Sequence, residues 1–302
     1  MANEQFLRKV IVDIFPQSGE GISITDLKIA FNCVKTNEST PNTAKIDITN
    51  LSPNTRNVLS QRNVIVRLTL GYLGFNAKGE LNKNVVGNKG VGTVFIGNVK
   101  KAKHDKKKKH DLAVTDKVEN TDLITTIDVG DGDNQYRNAF LDKGYPPSTQ
   151  LKTVATDLVN AMGLNVGAQF ELPNKAYTQG FAVTGFSRDN LDQICDTNNL
   201  EWSIQDQAVQ IISKTGTAKV ETVVVNAQTG LVGSPTLTDF GVKFRTLCDH
   251  RLLPGRAVEL TSIFLNNNKA QTYKIRKVTH HGDNWNGDYF SDVEATNPVV
   301  YS

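Results

Sequence analysis

The densest charge in this chain is the run Lys100-Lys101-Ala102-Lys103-His104-Asp105-Lys106-Lys107-Lys108-Lys109-His110. Its lysines could neutralise phosphates and so hold DNA or another polyanion. No aromatic residue interrupts them, so single-stranded bases would have no platform to stack on. The preferred reading is a solvated hairpin tip, where lysines also keep an exposed strand edge from pairing. His280-His281-Gly282-Asp283 offers two imidazoles and a carboxylate to a metal. Adjacent strand residues point to opposite faces, and no further His or Cys stands at ligand spacing, so an exposed turn is expected instead. Asp128-Val129-Gly130-Asp131-Gly132-Asp133-Asn134 collects three carboxylates that calcium would accept. The segment lacks the terminal Glu of a helix–loop–helix site and reads as an exit from a strand into a loop.

Enzymatic signatures are few. Gly130-Asp131-Gly132 and Gly71-Tyr72-Leu73-Gly74 do not have the form of a phosphate-binding loop, and there is no G-x-S-x-G elbow. Glu171, Glu201 and Asp206 could be offered as a glycosidase pair, but nothing in the sequence ties two of them across one cleft. Trp202 and Trp285 could stack on sugars. Trp202 alternates with polar neighbours in a short strand and is expected to pack on helices, whereas Trp285, in an Asn/Gly turn, reads as an interface anchor. No catalytic residue, metal ligand or cofactor is assigned.

The 302 residues suffice for two or three domains, and a net charge of +3 is too small for the whole chain to be a nucleic-acid binder. Met1-Ala2-Asn3-Glu4-Gln5-Phe6 lacks the blocks of a secretory signal, and no apolar run nears the ~20 residues of a membrane span. Cys33, Cys195 and Cys248 are widely spaced and odd in number, as expected of reduced thiols made in a cytosol.

These residues sit on a β-rich scaffold. Alternation predicts strands over 6–15, 26–35, 44–51, 63–71, 91–101 and 122–129. Ser52-Pro53 predicts the start of a short helix that ends near Ser60. The polar stretch 74–92 reads as a long loop. From Tyr145 the pattern changes. Pro146-Pro147-Ser148 introduces a helix carrying the stripe Leu151, Val154, Ala155, Leu158, Val159 and Met162, which Gly163 ends. A second helix begins at Ser187, with Phe186 and Leu191 placed as a hydrophobic staple. Strands 200–205 and 208–213 meet at Asp206-Gln207. After a Gly/Thr joint come strands at 222–225, 240–247, 257–265, 272–279 and 288–295. Residues 231–239, with Gly233-Ser234-Pro235, read as a loop, and Asn266-Asn267-Asn268 as a hairpin turn.

The expected fold is mainly β with an inserted α/β domain: barrel-like domains over 1–135 and 220–302, and a small domain over 145–215. A β pattern also appears twice, over 62–129 and 256–295. In it Val94, Ile96 and Val99 answer to Tyr273, Ile275 and Val278, and 124–129 answers to 290–295. Such a repeat points to a symmetric assembly rather than a single catalytic pocket.

Six stretches carry a family resemblance. Asp26-Leu27-Lys28-Ile29-Ala30-Phe31, Pro41-Asn42-Thr43-Ala44-Lys45-Ile46 and Asn50-Leu51-Ser52-Pro53-Asn54-Thr55-Arg56 resemble the opening of tail hub proteins of contractile-tailed bacteriophages. Leu191-Asp192-Gln193-Ile194-Cys195 with Leu200-Glu201-Trp202-Ser203-Ile204-Gln205 is similar to that family's inserted domain, and Leu253-Pro254-Gly255-Arg256-Ala257-Val258-Glu259-Leu260 to the entry of its last barrel. The family is related to the N-terminal part of type VI secretion spike proteins. The resemblance implies a non-enzymatic homotrimer in the virion baseplate, assembled in the host bacterial cytoplasm and not inserted in a membrane. Two barrel-like domains per chain would make a pseudo-sixfold ring between the tail tube protein and a threefold spike protein, with DNA only in transit. Tape-measure and baseplate wedge proteins are further implied partners. In such a ring Lys100, Lys101, Lys103, Lys106, Lys107, Lys108 and Lys109 could face the lumen or an acidic neighbour. The chain ends at Ser302, soon after the second barrel, so no fused spike or lytic domain is expected. The alternatives are a nucleic-acid-binding β-barrel module using the basic run and a cell-wall-degrading tail enzyme.

Overall fold

The computed structural model describes residues 7–74, 90–108, 121–265 and 269–296, and of Lys107, Lys108 and Thr121 the backbone alone. Most of the 74–92 loop, Lys109 and the Asn266–Asn268 turn therefore lie outside the described residues. The molecule is mainly β. Its first part runs β1 (Arg8–Phe15), β2 (Ile22–Ile24), β3 (Ile29–Thr36), β4 (Thr43–Thr49), α1 (Pro53–Leu59), β5 (Ile65–Tyr72), β6 (Val91–Lys108) and β7 (Thr121–Gly130). Alternation works as expected in β3, where Ile29, Phe31 and Cys33 face the core. Ser52 caps α1 by accepting from Thr55 N at 3.2 Å, and Pro53 opens its first turn.

The middle part comprises α2 (Asp133–Asn138), β8 (Phe140–Tyr145), β9 (Thr149–Gln150), α3 (Leu151–Ala161), β10 (Asn165–Phe170), β11 (Ala176–Tyr177), β12 (Phe181–Phe186), α4 (Ser187–Thr197), β13 (Leu200–Gln205) and β14 (Ala208–Ser213). The α3 stripe is buried as read, and Gly163 ends the helix in the left-handed region. The staple does not form. Phe186 is itself the N-cap of α4 and stays exposed, in edge contact with Phe140, while Leu191 is fully buried. Strand β8 escaped the sequence reading because its side chains are mostly exposed, β10 because Gly167 and Gln169 interrupt its apolar pattern, and β12 because its buried phase carries only Phe181 and Val183 before Gly185. Asp206 and Gln207 both take positive φ, the geometry of a two-residue hairpin turn between β13 and β14.

The last part runs β15 (Val223–Val225), β16 (Leu231–Thr238), β17 (Gly241–Leu247), β18 (Ala257–Leu260), β19 (Gln271–Asp283) and β20 (Tyr289–Thr296). Residues 231–238 are thus a strand, not a loop. β16 pairs with β17 on both sides of an irregularity between Val232 and Thr236, and as the terminal strand of its sheet it tolerates Pro235.

The two β parts are not separate barrels. They share one thirteen-stranded sheet whose path is β16-β17-β20-β19-β3-β4-β7-β6-β5-β1-β2, with β18 and β15 branching from β19, and no barrel closes. The seam is β19. Residues 271–274 pair with β18, then 277–283 pair on the same edge with β3. Within this sheet the repeat is larger than the sequence reading proposed. The order β3-β4-β7-β6-β5 recurs strand for strand as β16-β17-β20-β19-β18. The register inside it differs from the one read from sequence. Val99 pairs with Val129, as Ile275 pairs with Ala295, and each pairing is followed by one extra residue, Lys100 or Arg276. Val99 therefore corresponds to Ile275 and not to Val278, because a bulge adds a residue that alternation alone does not reveal.

Tyr289, the first residue of β20, locks the end of the chain into the first core. It is fully buried, its hydroxyl accepts from Gly71 N at 3.0 Å and lies 2.9 Å from Lys9 O, and its ring meets Phe31 and Tyr72 edge-on. Tyr289→Phe should lower the unfolding free energy by about 1–3 kcal/mol, since the buried Gly71 N–H loses its acceptor. Tyr289→Ala should cost about 3–5 kcal/mol. Urea denaturation of the three proteins checks both the order and the sizes.

Candidate functional site

The described part of the basic run, Lys100–Lys108, lies in the second half of β6 and forms a ribbon with β7. β5 leaves β6 after the Ile65–Asn98 pair, and from Lys101 to Lys108 the strand is bonded only to β7 among the described residues. Lys100 is the extra residue of the bulge and reaches Asp133 at 3.1 Å. Lys101, Lys103 and Asp105 alternate on one face, with Ala102, His104 and Lys106 on the other. Lys101 stands opposite Asp128, which stands opposite Lys45 of β4 on its other side, and Lys107 stands opposite Asp122. Two lysines of the ribbon thus stand opposite carboxylates, while Lys103 and Lys106 stand opposite Thr126 and Leu123, so the cationic track is interrupted rather than continuous.

The histidine pair is not a turn. Both residues lie inside β19, on opposite faces, because this strand continues to Asp283. His280 is fully buried with Nδ1 2.8 Å from Ser291 Oγ, while His281 Nε2 meets Asp292 Oδ2 at 3.0 Å. Burial, helped by the nearby Lys35 charge, pulls the His280 pKa down to about 3, so the ring is neutral in the folded state. The first β part carries an echo of this pair. His104 Nδ1 lies 3.1 Å from Thr125 Oγ1, across the same two strands of the repeat, but the His104 ring is exposed.

The acids offered as a catalytic pair are held apart by separate partners, and two of them anchor the middle part to the sheet. Glu171 pairs with Lys219 at 3.0 Å. Asp206, at the tip of the β13–β14 hairpin, receives the fully buried Lys35 of β3 at 2.8 Å and the backbone N–H of Ile96 at 3.0 Å. At the open end of that hairpin the buried Lys274 of β19 meets Glu201 at 2.6 Å and donates to Ser213 O at 2.7 Å. Between these two clamps Asn42 donates to Ile204 O and Gln205 to Thr36 O, both at 2.8 Å. Asp131, read from sequence as part of a loop exit, is completely buried and accepts from Asp206 N, Gln207 N and Gln207 Nε2. Burial raises its pKa to about 6, against the opposing pull of Lys35. Sequence reasoning missed Lys35, Lys274 and Asp131. The one available signal was a lysine continuing the buried phase of β3 after Cys33.

Among the described residues no group of three His, Cys, Asp or Glu side chains could hold a metal ion. Cys33, Cys195 and Cys248 are free and buried, and burial pushes all three thiols up, away from the reactive thiolate. Trp202 packs under α4 and donates to Asp192 Oδ1 at 2.7 Å. Trp285 is exposed, as are Leu237 and Phe240 around the β16–β17 turn and Ile263 and Phe264 after β18.

Two outcomes follow. Asp206→Asn keeps the left-handed turn but removes the carboxylate in contact with Lys35 and leaves Asp131 as the nearby acid, and should cost up to about 3 kcal/mol in unfolding free energy by urea denaturation. Because the His280 pKa is lowered on folding, its contribution is fully present above about pH 6.5 and is lost as pH falls towards 3. The His280 component should therefore fall on acidification below about pH 6.5 with a limiting slope near ~1.4 kcal/mol per pH unit, and below about pH 6 the raised pKa of Asp131 acts in the opposite direction. In His280→Gln the stability–pH curve should lack that component.

A comparison with protein-family models matches residues 9–295 to the family described as Baseplate hub gp41. A comparison with curated protein sequences finds no match. Among solved structures, the fold is similar to the 43 kDa tail protein of prophage MuSo2 from Shewanella oneidensis, with a TM-score of 0.58 at 8% identity, over 96% of this chain and 98% of that one. It is equally similar to the tail protein from Neisseria meningitidis MC58, again 0.58 at 8%, over 95% and 96%. The E. coli c3393 protein, a component of the type VI secretion system, matches at 0.55 and 11%, over 96% of this chain and 77% of that one. These likenesses share a fold, and the family match spans almost the whole sequence: the chain belongs to the Baseplate hub gp41 family of phage tail structural proteins.

Proposed function

We propose that this chain is the subunit of a homotrimeric ring that joins the tail tube to the spike of a contractile phage tail and leaves a channel through which DNA passes. The observation that carries the reading is the twin five-stranded unit within one continuous sheet. Three chains with two like units each present six near-equivalent surfaces to a sixfold tube, while the chain as a whole repeats only three times toward the spike. The role is mechanical and non-enzymatic. Glu171, Glu201 and Asp206 are each engaged by a lysine, and two of them hold the middle part in place. A permanent ring of this kind needs an interface of ~2,000 Å² or more. Tape-measure and wedge proteins are the further partners expected around it.

The polyanion reading of the ribbon is less favoured, since Lys101 and Lys107 stand opposite Asp128 and Asp122. The mass of the native chain in solution, measured over a concentration series with and without the spike protein, tests the proposal. Three times the chain mass is expected. A strict monomer under both conditions overturns it.

A further inference from the structure

Inside one chain the strands of the two units meet, among the described residues, where residues 277–283 of β19 run antiparallel to residues 36–30 of β3. The repeat gives each side of this joint a counterpart. The bulges place Lys100 against Arg276, so 101–107 of the ribbon corresponds to 277–283. The hairpin pairs Cys33–Ala44 and Leu237–Val242 place Leu237 against Cys33, so the end of β16 corresponds to β3. Ala44 and Val242 match in turn, because they pair with Val129 and Ala295. Both counterparts lack a strand neighbour on the corresponding edge among the described residues: β16 ends the sheet, and the ribbon has lost β5.

We propose that the ribbon edge of one chain adds antiparallel to β16 of a second copy and reproduces between chains the joint that β19 and β3 make within one. The pairs Thr279–Val34, His280–Cys33 and His281–Asn32 then translate into Lys103 opposite Thr238, His104 opposite Leu237 and Asp105 opposite Thr236. The proposal rests on the reading of the chain as a self-assembling ring and names the surfaces that close it.

Three observations converge on this occupant. His104 repeats His280, each imidazole beside a hydroxyl of the next strand, Thr125 or Ser291. Within the chain that imidazole is buried where β3 runs alongside β19, whereas the His104 ring lies open to solvent. Leu237 occupies the place of Cys33, yet it is 67% exposed where Cys33 is 0% exposed. An added strand would supply both missing covers. Finally, the contact is head-to-tail: the first unit of one chain meets the second unit of the next. A heterologous contact that repeats an internal joint adds units by one recurring step, which is how rings close. Until the partner arrives, lysines on the ribbon and Pro235 on β16 keep both edges from pairing at random.

Paired cysteines test this in the full-length chain. His104→Cys and Leu237→Cys in one chain should give disulfide-linked multimers that stop at three chains, since directly opposed cross-strand residues come close enough to bridge. Mixing the two single variants should give linked dimers only, the signature of head-to-tail contact. Lys103→Cys with Leu237→Cys should not link, because neighbouring strand residues point to opposite faces. Leu237→Arg should leave the melting temperature of the isolated chain unchanged, because the side chain is exposed there, and should weaken association by about tenfold or more. A trimer that forms with neither the cross-link nor any sensitivity to Leu237→Arg overturns the edge assignment and leaves the ring standing. A native chain that stays monomeric at every concentration, with or without spike protein, overturns both.

Discussion

One strand bears two neighbours on the same edge, and the architecture depends on it. β19 runs beside β18 for its first residues and beside β3 for its last. Through that change of partner a sheet made of two like halves becomes one hydrogen-bonded surface. A strand edge left bare would be a site of indiscriminate association, so a long second unit could not simply hang from the first by a linker. Backbone bonding along 277–283, together with Tyr289 seated in the first core, ties the two units to each other. For the ring subunit proposed above, a continuous hydrogen-bonded surface of this kind would be the useful property.

The middle part is fastened by different means. Its own core is apolar and local, formed by α3 and α4 against β13 and β14. Its attachment to the sheet is a polar seam, with Lys35 and Lys274 gripping the two ends of one hairpin and Asp131 holding the hairpin's turn by its backbone N–H groups. Such a seam adds modestly to stability, because desolvating the charges offsets much of their attraction. It is demanding in geometry, however: each buried charge is satisfied only when the hairpin sits in one place. That fixes the orientation of the insert while leaving its outer surface free to vary.

The acids and histidines that chemistry singled out at first were thus real features with structural occupations. Glu201 and Asp206 are each engaged by a buried lysine, Lys274 and Lys35, at opposite ends of one hairpin. His280 and His281 looked like a turn because the sequence after them is rich in Gly, Asn and Asp, but β19 extends to Asp283 and the turn begins beyond it.

What the sequence determined by itself was local: alternation in β3, the cap and proline of α1, the stripe of α3, and the turn at Asp206-Gln207. In each of these the burial period or the φ preference is set by residues a few positions apart. It also determined that a β pattern recurs, because like strands need like side chains. Tertiary structure alone decided the register of that recurrence, since a bulge shifts a strand without leaving a mark on its composition. It alone turned Gly233-Ser234-Pro235 from an apparent loop into part of an edge strand, and set Lys35 against Asp206, residues 171 positions apart. Pairings across such separations depend on which strands meet, a property of the whole chain's packing that no short window of residues contains.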